Sequence, residues 1–432
     1  MKTLFTISFL LFVICALAQS DEALLEKELY NLTNVSFKKI SAAVDQYLKY
    51  ELFIKQPIDH LHPEKGFFYQ KALLLHKGFN NTTVLQNDGY FLFDYRNEVE
   101  QTLDANNINM EYRFYGKSKP DSIPWEDLTI EQATADMHAI NELFRNIYKG
   151  KWISTGISKG GETSIYYKYF YPNDVDLTIP YVAPLNNSLE DKRIYHFFDT
   201  IGTPECRNKI LQLQLFLLQH ENEVLEKLKW YSKGADLHYS YTGSIGKSFE
   251  YAVMEYPFSF WQYNGQCDSI PTNKSLDDYV GSLLKNVGGS SFADEGLIPF
   301  EAHYYQASTQ SGYYGYNIAP FKKYLQYFKE NPSASFPPKS AVLKPFDSTL
   351  NENVQKWLDI SGNNMLYIYG GIDTWTSAGI IVSDKVNSKR FVLPGATHAT
   401  ARIKNMDTDM QPEFIQKVKE MTGLEMNISN LK

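Results

Sequence analysis

A serine between two glycines is the part of this sequence whose chemistry is easiest to infer. The stretch Gly156-Ile157-Ser158-Lys159-Gly160 has the pattern Gly-x-Ser-x-Gly and follows the apolar pair Trp152-Ile153. Between a strand and a helix this pattern forms a nucleophile elbow, a tight turn that exposes a serine Oγ. We therefore expect Ser158 to be the nucleophile of an acyl transfer, the alternative being an ordinary glycine-rich turn.

An acid and a base follow later in the chain, each just past a run of strand-like residues. The order Ser158, Asp373, His398 is the chain order of the α/β-hydrolases, whose sites lie where parallel strands end. We expect His398 to accept the proton of Ser158 and Asp373 to orient the imidazole. Asp384 is the alternative acid, and the alternative for His398 is a structural loop histidine.

Such a reaction needs two backbone N–H groups to stabilise the oxyanion. The N–H of Lys159, directly after the nucleophile, is one candidate. Gly89 or Tyr90 is the other, because they follow an early strand and glycine lets the backbone approach closely. Gly89 in a simple turn is the alternative. This mechanism needs no cofactor, and the sequence has no HExxH or CxxC motif for a metal ion.

The elements that must position these residues alternate between strand and helix through the first half of the chain. This alternation predicts an α/β fold with a mostly parallel sheet and helices on both faces. The clearest helix covers 130–148, where apolar residues recur every three or four positions after a capping box of Thr129 and Gln132. A second helix covers 98–105, and strands are expected at 72–76, 83–86, 109–116, 177–182, 364–369 and 390–393.

The alternation stops after Pro184. Residues 185–347 contain aromatic loops and helical periodicity, with one long, bent helix near 210–228 and another at 276–284. We interpret them as a helical cap inserted into a hydrolase domain formed by 19–184 and 348–432. Cys206 and Cys267 both lie in the cap. In an exported chain we expect a disulfide between them, the alternative being two free thiols.

The amino terminus predicts export. A positive start, an apolar run and an Ala-x-Ala ending make residues 1–18 typical of a signal peptide rather than a membrane anchor. We therefore expect a secreted or periplasmic protein without a membrane span after cleavage. The formal net charge of −8 argues against a nucleic-acid partner. The sequence does not indicate an oligomeric state.

Several stretches together resemble a known family over about residues 50–420. They are Gln56-Pro57-Ile58-Asp59-His60, Glu111 to Ser118, Trp152 to Gly161, Phe170 to Asp176, Tyr181 to Pro184 and Glu255 to Phe258. In these stretches the chain is similar to the bacterial secreted tripeptidyl aminopeptidases, serine peptidases related to lysosomal Pro-X carboxypeptidase and dipeptidyl peptidase II. The resemblance implies peptide substrates and release of short peptides, tripeptides in that family, from free N-termini.

The resemblance also suggests how the substrate is held. A desolvated α-ammonium needs a carboxylate nearby, and Glu255 in the cap is the implied partner, unless it is a solvated surface residue. Gln310 stands where the family resemblance implies an acidic residue, so any recognition at that position lacks a charge. Cap tyrosines either line side-chain pockets or simply pack; they are Tyr304, Tyr305, Tyr313, Tyr314 and Tyr316.

Other functions share much of this pattern. A Pro-X-type carboxypeptidase or a dipeptidyl peptidase would use the same three catalytic residues on a different part of the peptide. A secreted carboxylesterase or lipase would use them without needing a carboxylate in the cap. A binding protein on the same fold would be expected to have lost one of the three, whereas all are present.

Overall fold

The computed structural model describes residues 21–44 and 47–431, so the predicted signal peptide lies outside the described residues. Within these described residues, nine strands form one sheet in the order β1-β2-β3-β5-β4-β6-β7-β8-β9. The strands are β1 (Val35–Ile40), β2 (Leu48–Pro57), β3 (Phe67–His76), β4 (Thr83–Asn87), β5 (Asn106–Met110), β6 (Trp152–Ile157), β7 (Leu177–Tyr181), β8 (Met365–Gly370) and β9 (Ser388–Leu393).

The sheet is parallel from β5 to β9 and antiparallel at its other end. β1, β2 and β3 pair antiparallel with one another, and β3 pairs antiparallel with β5. Buried and more exposed residues alternate along β3, as in a strand with one solvated face, whereas every residue of β4 is buried. The predicted mostly parallel α/β sheet is confirmed, and β1 and β2 extend it beyond the prediction.

Helices cover both faces of the sheet. Neighbouring strand residues point to opposite sides, so they pack against different helices. Val84 packs in a cluster with Phe414 of α13, while Leu85 packs in another with Ile140 of α3. The helices are α1 (Asp21–Asn31), α2 (Glu98–Leu103), α3 (Ile130–Arg145), α4 (Lys159–Phe170), α5 (Arg193–Thr200), α6 (Pro204–Gln219), α7 (Glu221–Gly234), α8 (Ile245–Tyr263), α9 (Leu276–Val287), α10 (Asp294–Leu297), α11 (Glu301–Gln306), α12 (Thr349–Ile360) and α13 (Met410–Thr422).

The start of α3 has half of the predicted capping box. The Thr129 hydroxyl accepts a hydrogen bond from the Gln132 N–H at 3.2 Å. The Gln132 side chain does not complete the box, because it donates to Asp59 at 2.7 Å and accepts from the His60 N–H at 2.8 Å. Gln132 therefore joins α3 to the segment after β2.

The strand predicted over 109–116 is wrong beyond Met110. Phe114 and Gly116 have φ angles of 69° and 46°, which end an extended conformation. The Glu111 carboxylate accepts hydrogen bonds from the N–H groups of Lys117 and Ser118 at 3.0 and 3.1 Å. These bonds close a turn, and buried Glu111 therefore belongs to this turn rather than to β5.

Between β7 and α12 the chain forms α5 to α11, and we call residues 185–347 the cap. One cluster of buried apolar residues runs through it from Ile194 to Phe336. The helix predicted near 210–228 is two helices, α6 and α7, which are separated at His220. A disulfide joins Cys206 at the start of α6 to Cys267, just after α8. Within the described residues, no helix is both long and apolar enough to cross a membrane.

Candidate active site

Ser158 lies at the turn between β6 and α4, as expected for a nucleophile elbow. Its φ and ψ angles are 58° and −123°, a strained conformation for a residue with a Cβ. Its N–H donates to the Tyr181 carbonyl at 2.9 Å, and its carbonyl accepts from the Glu162 N–H at 2.8 Å. These bonds to β7 and to the first turn of α4 hold the strained serine in place.

The two glycines of the motif are required by close packing. A Cβ on Gly156 would lie 2.3 Å from the carbonyl carbon of Gly160, and one on Gly160 would lie 2.0 Å from the Asn87 carbonyl oxygen. Both distances are shorter than contacts between non-bonded atoms, so neither position admits a side chain. The elbow is therefore pressed against the end of β4.

Asp373 and His398 meet as the sequence analysis expected. Asp373 follows β8 and His398 follows β9, so both lie at the edge of the sheet where β6 ends. The His398 Nδ1 is 2.7 Å from Asp373 Oδ2, and Asp373 is fully buried. Its other oxygen accepts from the Trp375 N–H at 3.2 Å. Asp384, the alternative acid, is exposed in the loop before β9.

The loop after β4 lies directly against the elbow. Gly89 has a φ of 76°, and a Cβ there would lie 2.5 Å from the Gly160 nitrogen. The Gly89 N–H donates to the Asn87 side chain at 2.6 Å, so it is already used. Within residues 21–44 and 47–431, the backbone N–H groups of Tyr90 and Lys159 have no hydrogen-bond acceptor.

The Lys159 side chain joins the elbow to the cap. Its Nζ donates to Gln306 Oε1 at 2.8 Å and lies 4.2 Å from the centre of the Tyr112 ring. Burial lowers the pKa of Lys159 and raises the pKa of Glu162, although each charge favours the ionised form of the other. The residue after the nucleophile thus contacts α11 of the cap with its side chain.

A cavity of about 660 Å³ lies between the elbow and the cap, and Ser158, Tyr90 and His398 line it together with Glu255 of α8. Glu255 is buried and accepts hydrogen bonds from the hydroxyls of Ser259, Tyr314 and Tyr316 at 2.8, 3.0 and 2.7 Å. Burial raises the pKa of Glu255 to about 7, and these hydrogen bonds oppose the rise. A buried carboxylate therefore faces the same space as the nucleophile.

Most of the predicted aromatic residues surround this carboxylate. The rings of Tyr313 and Tyr314 are 4.5 Å apart, and both line the cavity with Tyr304 and Tyr316. Tyr305 instead packs on Trp125 at 5.6 Å. Gln310 is not among the lining residues of this cavity. It accepts from the Ile130 N–H and donates to Glu131, both at 2.9 Å, and so joins the cap to α3.

Sequence reasoning missed several residues of the cavity wall. Phe258 stacks on Tyr314 with ring centres 4.0 Å apart, and Trp375 meets Phe258 edge-on at 5.1 Å. Phe258 lies one turn from Glu255 on α8, and Trp375 lies two positions after Asp373. Helical spacing from Glu255 would have indicated Phe258, but no local pattern distinguishes Trp375 from a packing residue.

The loops that carry Asp373 and His398 are hydrogen-bonded to the cap. The His398 N–H donates to the carbonyl of Gln262 at 2.9 Å. The Thr374 hydroxyl, next to Asp373, donates to the carbonyl of Phe258 at 3.1 Å. Both acceptors belong to α8, so the helix that carries Glu255 also holds the loops of Asp373 and His398.

Comparison with known proteins gives a relative in sequence and more distant similarities among solved structures. The chain is 32% identical over 379 residues to a prolyl tri/tetrapeptidyl aminopeptidase of Streptomyces mobaraensis, which covers 86% of this chain and 79% of the relative. Distantly similar solved structures include the proline iminopeptidase of Mycobacterium smegmatis and an α/β-fold hydrolase of Bacillus anthracis. These are 12% identical each, with TM-scores of 0.37 and 0.35, and cover 90% and 89% of this chain and 98% and 99% of theirs.

The family model described as PS-10 peptidase S37 matches residues 29–425, nearly the whole described chain. That range contains Ser158, the hydrogen-bonded pair Asp373 and His398, and Glu255. The chain therefore belongs to the peptidase S37 family and is a serine peptidase with an α/β-hydrolase fold.

Proposed function

We propose that this protein is a secreted exopeptidase that releases short peptides, of about three residues, from free N-termini. Ser158 attacks the scissile carbonyl while His398 accepts its proton, and a covalent acyl-enzyme forms as the leaving amine takes that proton. Asp373 holds the imidazole in the required orientation. Water then hydrolyses the ester, with His398 again acting as the base.

The observation that carries this proposal is the position of Glu255. Its carboxylate has three hydroxyl donors and no cationic partner within the described residues, yet it faces the cavity that holds Ser158. A substrate ammonium would supply the missing charge, and the ionised carboxylate would be stabilised by it. An amine fixed there determines which carbonyl reaches the serine, and this sets the length of the peptide released.

The oxyanion site of this proposal uses the N–H groups of Lys159 and Tyr90. Lys159 directly follows Ser158, and Tyr90 directly follows Gly89 in the loop that lies against the elbow. Neither N–H group donates to another acceptor among the described residues. Gly89 does not donate to the oxyanion in this proposal, and its role is to let the loop approach the elbow. Its positive φ and its missing Cβ let the loop approach the elbow closely enough for the Tyr90 N–H to face the reacting carbonyl.

Export and peptide size also form part of the proposal. The apolar amino-terminal segment supports secretion, and the Cys206–Cys267 disulfide is typical of an oxidising compartment. The cap covers the serine, and the cavity beneath it has the size of a site for a small ligand. A short N-terminal segment fits such a space, whereas the middle of a long chain does not.

The deciding experiment digests one peptide in two forms, with a free and with an acetylated N-terminus, and identifies the products by mass spectrometry. We expect the free peptide to lose tripeptides and the acetylated peptide to be cleaved at least 100-fold more slowly, because Glu255 is then left without a charged partner. Equal rates would contradict the proposal. Products shortened from the C-terminus would instead indicate a carboxypeptidase, and a preference for simple esters would indicate an esterase.

A further inference from the structure

A second cavity, of about 260 Å³, lies beside the catalytic one. Tyr95 and Ile157 line both cavities, and Ile157 directly precedes the nucleophile. The wall of the second cavity also includes Ala399 and Arg402, which follow His398 in the same loop. It therefore lies on the side of the active site where the general base is located.

This second cavity has an excess of positive charge. Arg96, Arg402 and Lys404 line it, and Glu98 is the acidic residue in its wall. Arg96 is paired with Glu100, at 2.9 Å from Nε. Glu98 accepts hydrogen bonds from the N–H groups of Ile403 and Lys404 at 2.7 and 3.1 Å, and so serves the loop that carries the two cations.

Arg402 and Lys404 keep donors free. In the part of the chain that the structure describes, no carboxylate lies within salt-bridge distance of either side chain. One nitrogen of Arg402, Nη1, donates to the carbonyls of His398 and Ala401 at 3.1 and 2.9 Å. The guanidinium therefore has a fixed position beside the base, with its remaining N–H groups available to an anion.

The reaction itself places the leaving chain on this side. His398 gives its proton to the leaving nitrogen, so the first residue after the scissile bond must lie against the His398 loop. Each extended residue spans about 3.5 Å, so a carboxylate one or two residues beyond that nitrogen lies within a short reach of the base. Glu255 holds the other end of the substrate, in the first cavity.

We propose that the second cavity binds a carboxylate of the leaving peptide through Arg402 and Lys404. This inference rests on the proposed function for which part of the substrate leaves. The carboxylate comes either from the C-terminus of a short substrate or from an acidic side chain just after the scissile bond. The site gives the enzyme a preference for short or acidic leaving segments.

The test compares kcat/KM for matched peptides with a free N-terminus. One pair differs only in ending as an acid or as an amide, one residue after the cleaved bond. A second pair is amidated and carries Asp or Asn at that residue. We expect the charged member of at least one pair to be favoured about three- to tenfold, as for a charged hydrogen bond that is partly exposed to water. The pair that shows it identifies the source of the carboxylate.

Two variants test whether the preference for the charged peptide arises in the second cavity. Arg402→Gln and Lys404→Gln should each bring the charged-to-neutral ratio towards one, whereas Lys356→Gln, an exposed lysine on α12 that lines neither cavity, should leave the ratio unchanged. The ratio is measured within each variant, so a general loss of activity in Arg402→Gln does not affect it. Ratios near one for wild type in both pairs would overturn the inference, as would ratios that neither variant alters.

The two proposals fail differently in this experiment. If no peptide is shortened from its N-terminus, the proposed function is wrong. If tripeptides are released at equal rates from charged and neutral substrates, only the carboxylate site is wrong. Mass spectrometry of the products from the same digests separates these outcomes.

Discussion

Ser158 presents its hydroxyl to the cavity from a strained backbone conformation. The φ of 58° is unfavourable for any residue with a Cβ, and hydrogen bonds to Tyr181 and Glu162 maintain it. The strain therefore depends on the Cβ, while the chemistry depends on the hydroxyl. Substitutions can separate the two.

We predict that Ser158→Ala and Ser158→Gly both lose hydrolysis by roughly 10⁴-fold or more, because each removes the nucleophile. Ser158→Ala keeps the Cβ and should unfold at the wild-type temperature. Ser158→Gly relieves the strain and should be more stable by about 1–2 kcal/mol. Thermal unfolding and labelling with a fluorophosphonate measure both effects. Labelling of either variant would show that the nucleophile is another residue.

Glu255 is a second residue in which function opposes stability. Its pKa in the folded protein is about 7, above the ordinary value of 4.5. Folding therefore favours the protonated form, and stability is lost as the pH rises from about 4.5 through 7. The ionised form is the one that binds an ammonium, so substrate binding should strengthen over the same range.

We predict that Glu255→Gln is more stable than wild type at pH 8, by about 1–3 kcal/mol, and closer to wild type at pH 5. Its kcat/KM for free N-termini should fall about 100-fold, mainly through KM, because the ammonium loses its charged partner. Thermal unfolding at the two pH values and kinetics on free and acetylated peptides check these effects. A variant that is equally destabilised at both pH values would contradict the assignment.

At the scale of elements, the loop after β4 determines the shape of the oxyanion site. Gly89 has a positive φ and lies against Gly160 and Lys159. We predict that Gly89→Ala lowers kcat by 10²-fold or more, because its Cβ pushes the loop and the Tyr90 N–H away from the elbow. KM should change much less. The far-ultraviolet circular dichroism of the purified variant checks that the fold is kept, and unchanged kcat would rule out this role of the loop.

The disulfide between α6 and the segment after α8 joins two cysteines that are 61 positions apart in the cap. We predict that the double substitution Cys206→Ser with Cys267→Ser lowers the free energy of unfolding by about 2–4 kcal/mol. Urea unfolding of the variant and of the wild type measures this difference. Mass spectrometry of the non-reduced protein provides the control, because two free thiols in wild type would contradict the pairing.

Apolar runs and the order of elements along the chain predicted the strands before Ser158, Asp373 and His398. β6 and β8 are almost wholly buried, and β9 places Phe391 and Leu393 in the core. These patterns did not predict β1 and β2, whose mixed polarity reflects an antiparallel edge rather than a covered core. The end of β5 was not predicted because it is set by a turn. In that turn the Glu111 carboxylate accepts hydrogen bonds from the N–H groups of Lys117 and Ser118. The cavity wall depended on long-range contacts such as Phe258 with Trp375, which no local pattern encodes.

At the scale of the whole molecule, Glu255 and Ser158 lie on different parts of the chain, and the cavity between the cap and the sheet edge joins them. The distance between them should act as a ruler for the substrate. We predict that adding one residue before the N-terminus of a cleaved peptide moves cleavage by one bond towards the new N-terminus. Mass spectrometry of the two digests tests this. Cleavage that stays at the same side chain would show that sequence, not distance, selects the bond.

The bonds between α8 and the loops of Asp373 and His398 have a consequence for how chains of this kind can be recombined. The carbonyls of Gln262 and Phe258 accept hydrogen bonds from His398 and from Thr374, next to Asp373, so α8 is both a wall of the cavity and a support for these two loops. A chimera that takes the whole cap from a relative replaces that support together with the wall. Transplanting specificity between such enzymes therefore requires exchanging α8 and the loops of Asp373 and His398 as one unit.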